Sequence, residues 1–183
     1  VTVERNGTPI GIVKGGHAIM LAVELPSRLS TIASTWANRS PANRSVVENP
    51  HMTLLYVGRN LPKIVGDVML EVAERMIGDI PRSLTLTGAY DIFGFGRCMV
   101  ATIEQSDQLS HARSSIAESI LWGVGDEHQI LDEKFGFNPH VTLVKSRAKE
   151  RLRNPANVVS RKMRVTGVVV KIGATIHTLE IKG

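Results

Sequence analysis

Six residues occur twice in this chain with a single difference: Asn-Pro-His-Met-Thr-Leu at 49–54 and Asn-Pro-His-Val-Thr-Leu at 138–143. The repeat restricts local structure at both places. Proline has no amide hydrogen to give to a ladder and suits the first position of a strand. The residues that follow are apolar at alternate positions, the period of a half-buried strand. Positions i and i+2 of a strand share a face, so His51 projects with Thr53, and His140 with Thr142. Strict alternation from the same start places Tyr56 and Lys145 on the opposite face from the motif histidines, in the core or at the surface.

Around these two anchors, hydrophobic periodicity predicts a succession of short elements. A strand is expected over 17–25, ended by Pro26, then a helix to about Ala37 with Leu29, Ile32, Ala33 and Trp36 on one face. A polar connection (38–49) leads to a strand from His51 to Val57 that stops at Gly58. The second helix, 61–77, turns Ile64, Val65, Val68, Val72 and Met76 inward. Strands over 83–93 and 97–104 flank Gly94-Phe95-Gly96 as a hairpin, and Ser106 or Asp107 caps a third helix to about Leu121. A loop (123–139) precedes the strand at His140 to Val144, and strands over 164–172 and 175–181 close the chain. This order implies an α+β protein with antiparallel sheets and helices packed outside. Residues 1–14 read as an N-terminal extension to a single domain over 15–183.

The 183 residues, 43% hydrophobic and 21% charged, suffice for a substantial core. Apolar runs such as 18–23 and 168–170 are too short to span a bilayer, so no membrane segment is expected. The formal charge of +5, from 22 Lys and Arg against 17 acids, suits an anionic partner without identifying one. The single cysteine, Cys98, can form no internal disulfide and reads as a small buried hydrophobe. With no secretory signal visible at the start, the expected compartment is the reducing cytoplasm.

Two histidines, each with a hydroxyl beside it, suit one chemistry. Breaking a phosphodiester near neutral pH requires one group to take a proton from the nucleophile and another to return one to the departing oxygen. Imidazole titrates in the range for both tasks. Threonine hydroxyls can orient the phosphate oxygens as charge develops on them. A lone histidine on a strand is more often structural; two near-identical copies at loop-to-strand junctions favour catalysis by His51, Thr53, His140 and Thr142.

In these motifs the chain resembles the two-histidine (2H) phosphoesterase superfamily, whose signature is a pair of His-x-Thr/Ser motifs on strands. The likeness extends to its RNA 2′,3′-cyclic phosphodiesterase or 2′-5′ RNA ligase-like branch. It is carried by the opening strand at 17–25, the hairpin at 84–104 with Tyr90, Phe93 and Gly94, and the closing strands at 164–181. Lys145 stands where that branch often has arginine. The resemblance implies a bilobal fold, with two antiparallel sheets related by a pseudo-twofold axis about a central cleft. It also implies catalysis without metal or cofactor. The implied substrates are a nucleotide, an RNA end with a 2′,3′-cyclic phosphate, or a 2′-5′ linkage. Degradation of cyclic oligonucleotide signals, as by viral anti-defence enzymes of this type, is a second enzymatic reading. A nucleotide- or RNA-binding module without turnover is a third.

The remaining candidates are weaker. His17, His111, His128 and His177 lack a threonine two residues on, and His17 reads as structural. His128 lies among Asp126, Glu127, Asp132 and Glu133, but the spacing matches no zinc or calcium pattern. Phe93, Phe95, Phe135 and Phe137 fall in glycine-bearing segments where an exposed ring could stack on a base. Gly11-Ile-Val-Lys-Gly-Gly16 lacks the Gly-Lys-Ser/Thr ending of a P-loop and precedes a strand.

Overall fold

The computed structural model describes residues 2–5, 8–11, 16–37, 44–93, 97–124, 136–146 and 161–181. Strands β1 (Thr2–Arg5) and β2 (Thr8–Gly11) form a small hairpin within the expected N-terminal extension. Strand β3 (His17–Glu24) and helix α1 (Arg28–Ala37) follow as anticipated. The polar connection after α1 contains a short strand, β4 (Arg44–Val46). The first motif opens β5 (His51–Leu61), which continues past Gly58 instead of stopping there. Helix α2 (Lys63–Met76) buries Val65, Val68, Met69 and Val72, while Ile64 is 40% exposed, contrary to the expected inward face.

Strands β6 (Ser83–Phe93) and β7 (Cys98–Ile103) form the expected hairpin arms. Helix α3 (Asp107–Val124) is capped by Ser106, whose Oγ accepts from the Leu109 amide at 3.2 Å. The second motif opens β8 (His140–Ser146). The expected strand over 164–172 is two, β9 (Arg161–Arg164) and β10 (Gly167–Ile172), and β11 (Thr175–Leu179) completes the chain. The break falls where the two strands leave for opposite margins of the sheet, β9 beside β6 and β10 beside β3.

The large sheet runs β11-β10-β3-β5-β8-β7-β6-β9, with β4 also beside β8, and every pairing is antiparallel. The mixed α and antiparallel β architecture is therefore as expected. The halves β11-β10-β3-β5 and β8-β7-β6-β9 are hydrogen-bonded into one sheet through the pair Met52↔Val141. Both of these side chains are fully buried. No helix among the described residues is long and apolar enough to cross a membrane.

Strict alternation fails in each motif strand just beyond the His-x-Thr motif, and in the same way. Leu54 and Leu55 are adjacent yet both fully buried, as are Leu143 and Val144. A regular strand would send one of each pair to the opposite face. The register instead shifts between Leu21↔Leu55 and Ala22↔Thr53, and between Met99↔Val144 and Val100↔Thr142. Each shift is a β-bulge, with two residues opposing one. Burying a second aliphatic side chain gains about 1.5–3 kcal/mol, against about 0.5–1.5 kcal/mol for a ladder hydrogen bond forgone. The bulge is the favoured solution, and it reverses the facing of the residues that follow it, Tyr56 in β5 and Lys145 in β8.

Candidate active site

Each motif histidine is held from behind by its own loop. His51 Nδ1 lies 3.0 Å from the Asn49 carbonyl oxygen, and His140 Nδ1 lies 2.7 Å from that of Asn138. A carbonyl can only accept, so in both rings Nδ1 carries the hydrogen and the neutral ring keeps its lone pair on Nε2. The loops are pinned in matching fashion, because the Leu25 amide donates to Pro50 O and the Ile103 amide to Pro139 O, both at 2.9 Å. Pro50 and Pro139 are buried, which brings the chain to the start of each strand at a defined angle.

Register places the site residues. Across from β5, Glu24 pairs with His51, Ala22 with Thr53 and Met20 with Tyr56. Across from β8, Thr102 pairs with His140, Val100 with Thr142 and Cys98 with Lys145. Residues 20, 22 and 24 alternate regularly along β3, as do 98, 100 and 102 along β7, so each trio shares a face. Tyr56 therefore lies on the face of His51 and Thr53, and Lys145 on the face of His140 and Thr142. This overturns the parity argument made from sequence, because the bulges restore both residues to the motif side. The signal was legible as the doublets Leu54-Leu55 and Leu143-Val144, which no two-residue alternation can bury. Cys98, on the same face as Lys145, is half-buried rather than a core residue.

The four motif side chains are all half-buried, accessible yet ordered by their strands. Arg59 Nε donates to the Tyr56 hydroxyl at 3.1 Å. Lys145 is exposed and takes part in no ion pair among the described residues. Beside His140, the Thr102 hydroxyl is bonded to that of Thr87 and lies 3.2 Å from Ala89 O.

Of the four phenylalanines, Phe93 meets the motif: its ring stands edge-on to the His140 ring, centroids 4.7 Å apart at 76°. Phe137 packs against the core and under the Arg113 guanidinium, 4.8 Å from its ring centroid. It closes the core rather than offering a free stacking face. Phe95 and Phe135 lie outside the described residues, as does His128 with its neighbouring acids. His17 packs over Gly173 at the β10–β11 turn, at the far end of β3 from Glu24 and His51. No three His, Cys, Asp or Glu side chains among the described residues converge as a metal-binding cluster.

Comparison with solved structures finds the same fold in several proteins. TT0787 of Thermus thermophilus superposes with a TM-score of 0.67 at 19% identity, over 89% of this chain and 95% of its own. E. coli LigT in apo form gives 0.58 at 18% identity, over 91% and 95%. A protein described as a phosphoesterase gives 0.61 at 17%, over 91% and 96%. No curated protein sequence matches this one. The pattern of a sequence family does match, over residues 25–170, a span that includes both motifs. The chain belongs to the 2′-5′ RNA ligase superfamily, the two-histidine phosphoesterases whose paired motifs it carries.

Proposed function

We propose that this protein is a metal-independent phosphodiesterase acting on RNA-derived 2′,3′-cyclic phosphates or 2′-5′ linkages. His51 and His140 are its acid and base, and Thr53 and Thr142 orient the phosphate. The observation that carries the reading is the matched pair of Nδ1–H to carbonyl bonds, which leaves two Nε2 atoms for proton transfer beside two hydroxyls. In hydrolysis of a cyclic phosphate, one imidazole takes a proton from water as its oxygen bonds to phosphorus. The second, protonated at the outset, gives its proton to the ribose oxygen as the P–O bond breaks. The two rings end in exchanged protonation states, and rate should depend on pH in a bell shape.

Lys145 extends the site that the sequence motifs suggested. An exposed ammonium on the His140 face suits a non-bridging phosphate oxygen. Phe93 offers an aromatic wall beside His140 on which a base could rest. Nucleotide ligands are consistent with the relatives, since E. coli LigT has been crystallised with phosphate, 3′-AMP and ATP.

The test is product analysis on a panel of 2′,3′-cyclic mononucleotides, 2′-5′ oligonucleotides and cyclic di- and trinucleotides, with chelator present. Wild type should turn over the first or second class. His51→Ala and His140→Ala should each lose about 10²- to 10⁴-fold in kcat while remaining folded. Turnover confined to cyclic oligonucleotides would favour the signal-degrading reading, and dependence on added magnesium or manganese would remove the metal-free mechanism.

A further inference from the structure

A histidine held by a backbone carbonyl is only as well aimed as the loop carrying that carbonyl, and the two motif loops are braced differently. Behind His51, Ser30 on α1 donates through its hydroxyl to Val47 O at 2.8 Å or Glu48 O at 2.9 Å. Behind His140 the helix-borne brace is Arg113 on α3, whose guanidinium lies over the ring of Phe137. Phe137 immediately precedes Asn138, whose carbonyl receives the His140 Nδ1 hydrogen. On its other side is Gly136, at a left-handed φ of +72° with nothing within 4 Å of where a Cβ would be. Gly136 does nothing to hold the backbone there, and the Phe137 ring is held between the core and the Arg113 guanidinium.

Stability does not account for an arginine at this point of α3. Arg113 is only 9% exposed, and its Nε and Nη2 have no hydrogen-bond partner among the described residues. Burying an unpaired charge costs more than a desolvated cation–π contact returns. An unbranched apolar side chain would fill the same space at lower cost.

We propose that Arg113 is a positioning residue for catalysis: by clamping Phe137 it fixes the Asn138 carbonyl and so sets the tautomer and aim of His140. It touches neither substrate nor imidazole. Its kinetic consequence rests on the phosphodiesterase reading above; its effect on the His140 tautomer does not.

The experiment compares wild type with Arg113→Met and Arg113→Lys by thermal unfolding, steady-state kinetics and ¹⁵N NMR of the histidine rings. In Arg113→Met the unfolding temperature should hold or rise. Turnover should fall about tenfold at little-changed KM, within the roughly 100-fold that a 1 Å misplacement can cost. His140 should show a mixture of Nδ1–H and Nε2–H tautomers, with His51 unchanged. Arg113→Lys, keeping the cation, should recover part of both signals. The proposal is overturned if the His140 tautomer is unaltered in Arg113→Met. It is equally overturned if both histidines respond alike, or if activity falls only in step with unfolding temperature. Should no substrate be turned over by wild type, the functional reading fails and the NMR comparison still decides the role of Arg113.

Discussion

Met52 and Val141 face one another at the junction of β5 and β8, both fully buried, as the residue pair joining the two halves of the large sheet. That antiparallel register, carried one residue either way, would bring each histidine level with the threonine of the other motif, His51 with Thr142 and His140 with Thr53. The buried Met52–Val141 pair lies between the two motifs, at the centre of the four polar side chains.

Met52→Ala should therefore damage activity beyond its effect on stability. Truncating a fully buried methionine costs about 2–5 kcal/mol. Met69→Ala, in α2, removes an equally buried side chain away from the junction and is the matched control. Urea unfolding should show similar losses for the two, while kcat of the folded protein should fall only for Met52→Ala. Equal kcat in both would mean that the junction does not govern motif alignment.

Lys145 lies on the motif face because of the bulge at Leu143-Val144, and its substitution measures whether that placement is used. A hydrogen bond to a charged group contributes about 1.5–3 kcal/mol, and exposure puts Lys145 at the low end. Lys145→Ala should raise KM about tenfold with a smaller change in kcat, and Lys145→Arg should keep most of the affinity. Unchanged KM in Lys145→Ala would place the side chain outside the path of the substrate.

The motif strands, the helices and the antiparallel architecture were legible because each rests on local periodicity and end signals. Ser106 did cap α3, and Pro26 did end β3. What escaped were features decided by packing between distant segments. The faces of Tyr56 and Lys145 depend on bulges that exist because β3 and β7 supply core on one side only. The split of β9 from β10 depends on two different neighbours, β6 and β3. Arg113 carries no motif at all. Its place beneath the second loop is visible only once α3 meets Phe137, although an arginine among Leu109, Ala112, Ile116 and Ala117 on one helical face was a sign of a buried charge.

Tyr90, half-buried on β6 against the core, has its phenol pushed above the ordinary tyrosine range by desolvation. The folded state therefore holds the phenolic proton more tightly than the unfolded chain does. The contribution to stability is fully present below the unfolded pKa and is lost as pH rises through the folded one. Phenolate absorbance at 295 nm should show a late-ionising component, near or coincident with alkaline unfolding, that disappears in Tyr90→Phe. If the titration curve of Tyr90→Phe kept that component, another group would be responsible.

The motifs supply two groups that move protons and no protein nucleophile, which limits the substrates the site can use. An ordinary phosphodiester is a poor electrophile toward water assisted only by imidazole. A ribose oxygen beside the phosphorus changes this in either of two ways. As a free vicinal hydroxyl, 3′ beside a 2′-5′ linkage or 2′ beside a 3′-5′ one, it attacks from within the substrate, and well-oriented intramolecular nucleophiles reach effective molarities of about 10⁵–10⁸ M. As part of a 2′,3′-cyclic phosphate it strains the ring that water opens. In both cases one histidine removes the proton from the attacking oxygen while the other protonates the departing one. A 2′-5′ oligonucleotide should therefore be compared with its 3′-deoxy analogue, and a 3′-5′ cyclic oligonucleotide with its 2′-deoxy analogue. The expected result is cleavage of the ribo compounds with the deoxy series inert. Comparable rates in the two series would remove the neighbouring ribose oxygen from the mechanism and leave direct attack by water on an unactivated diester.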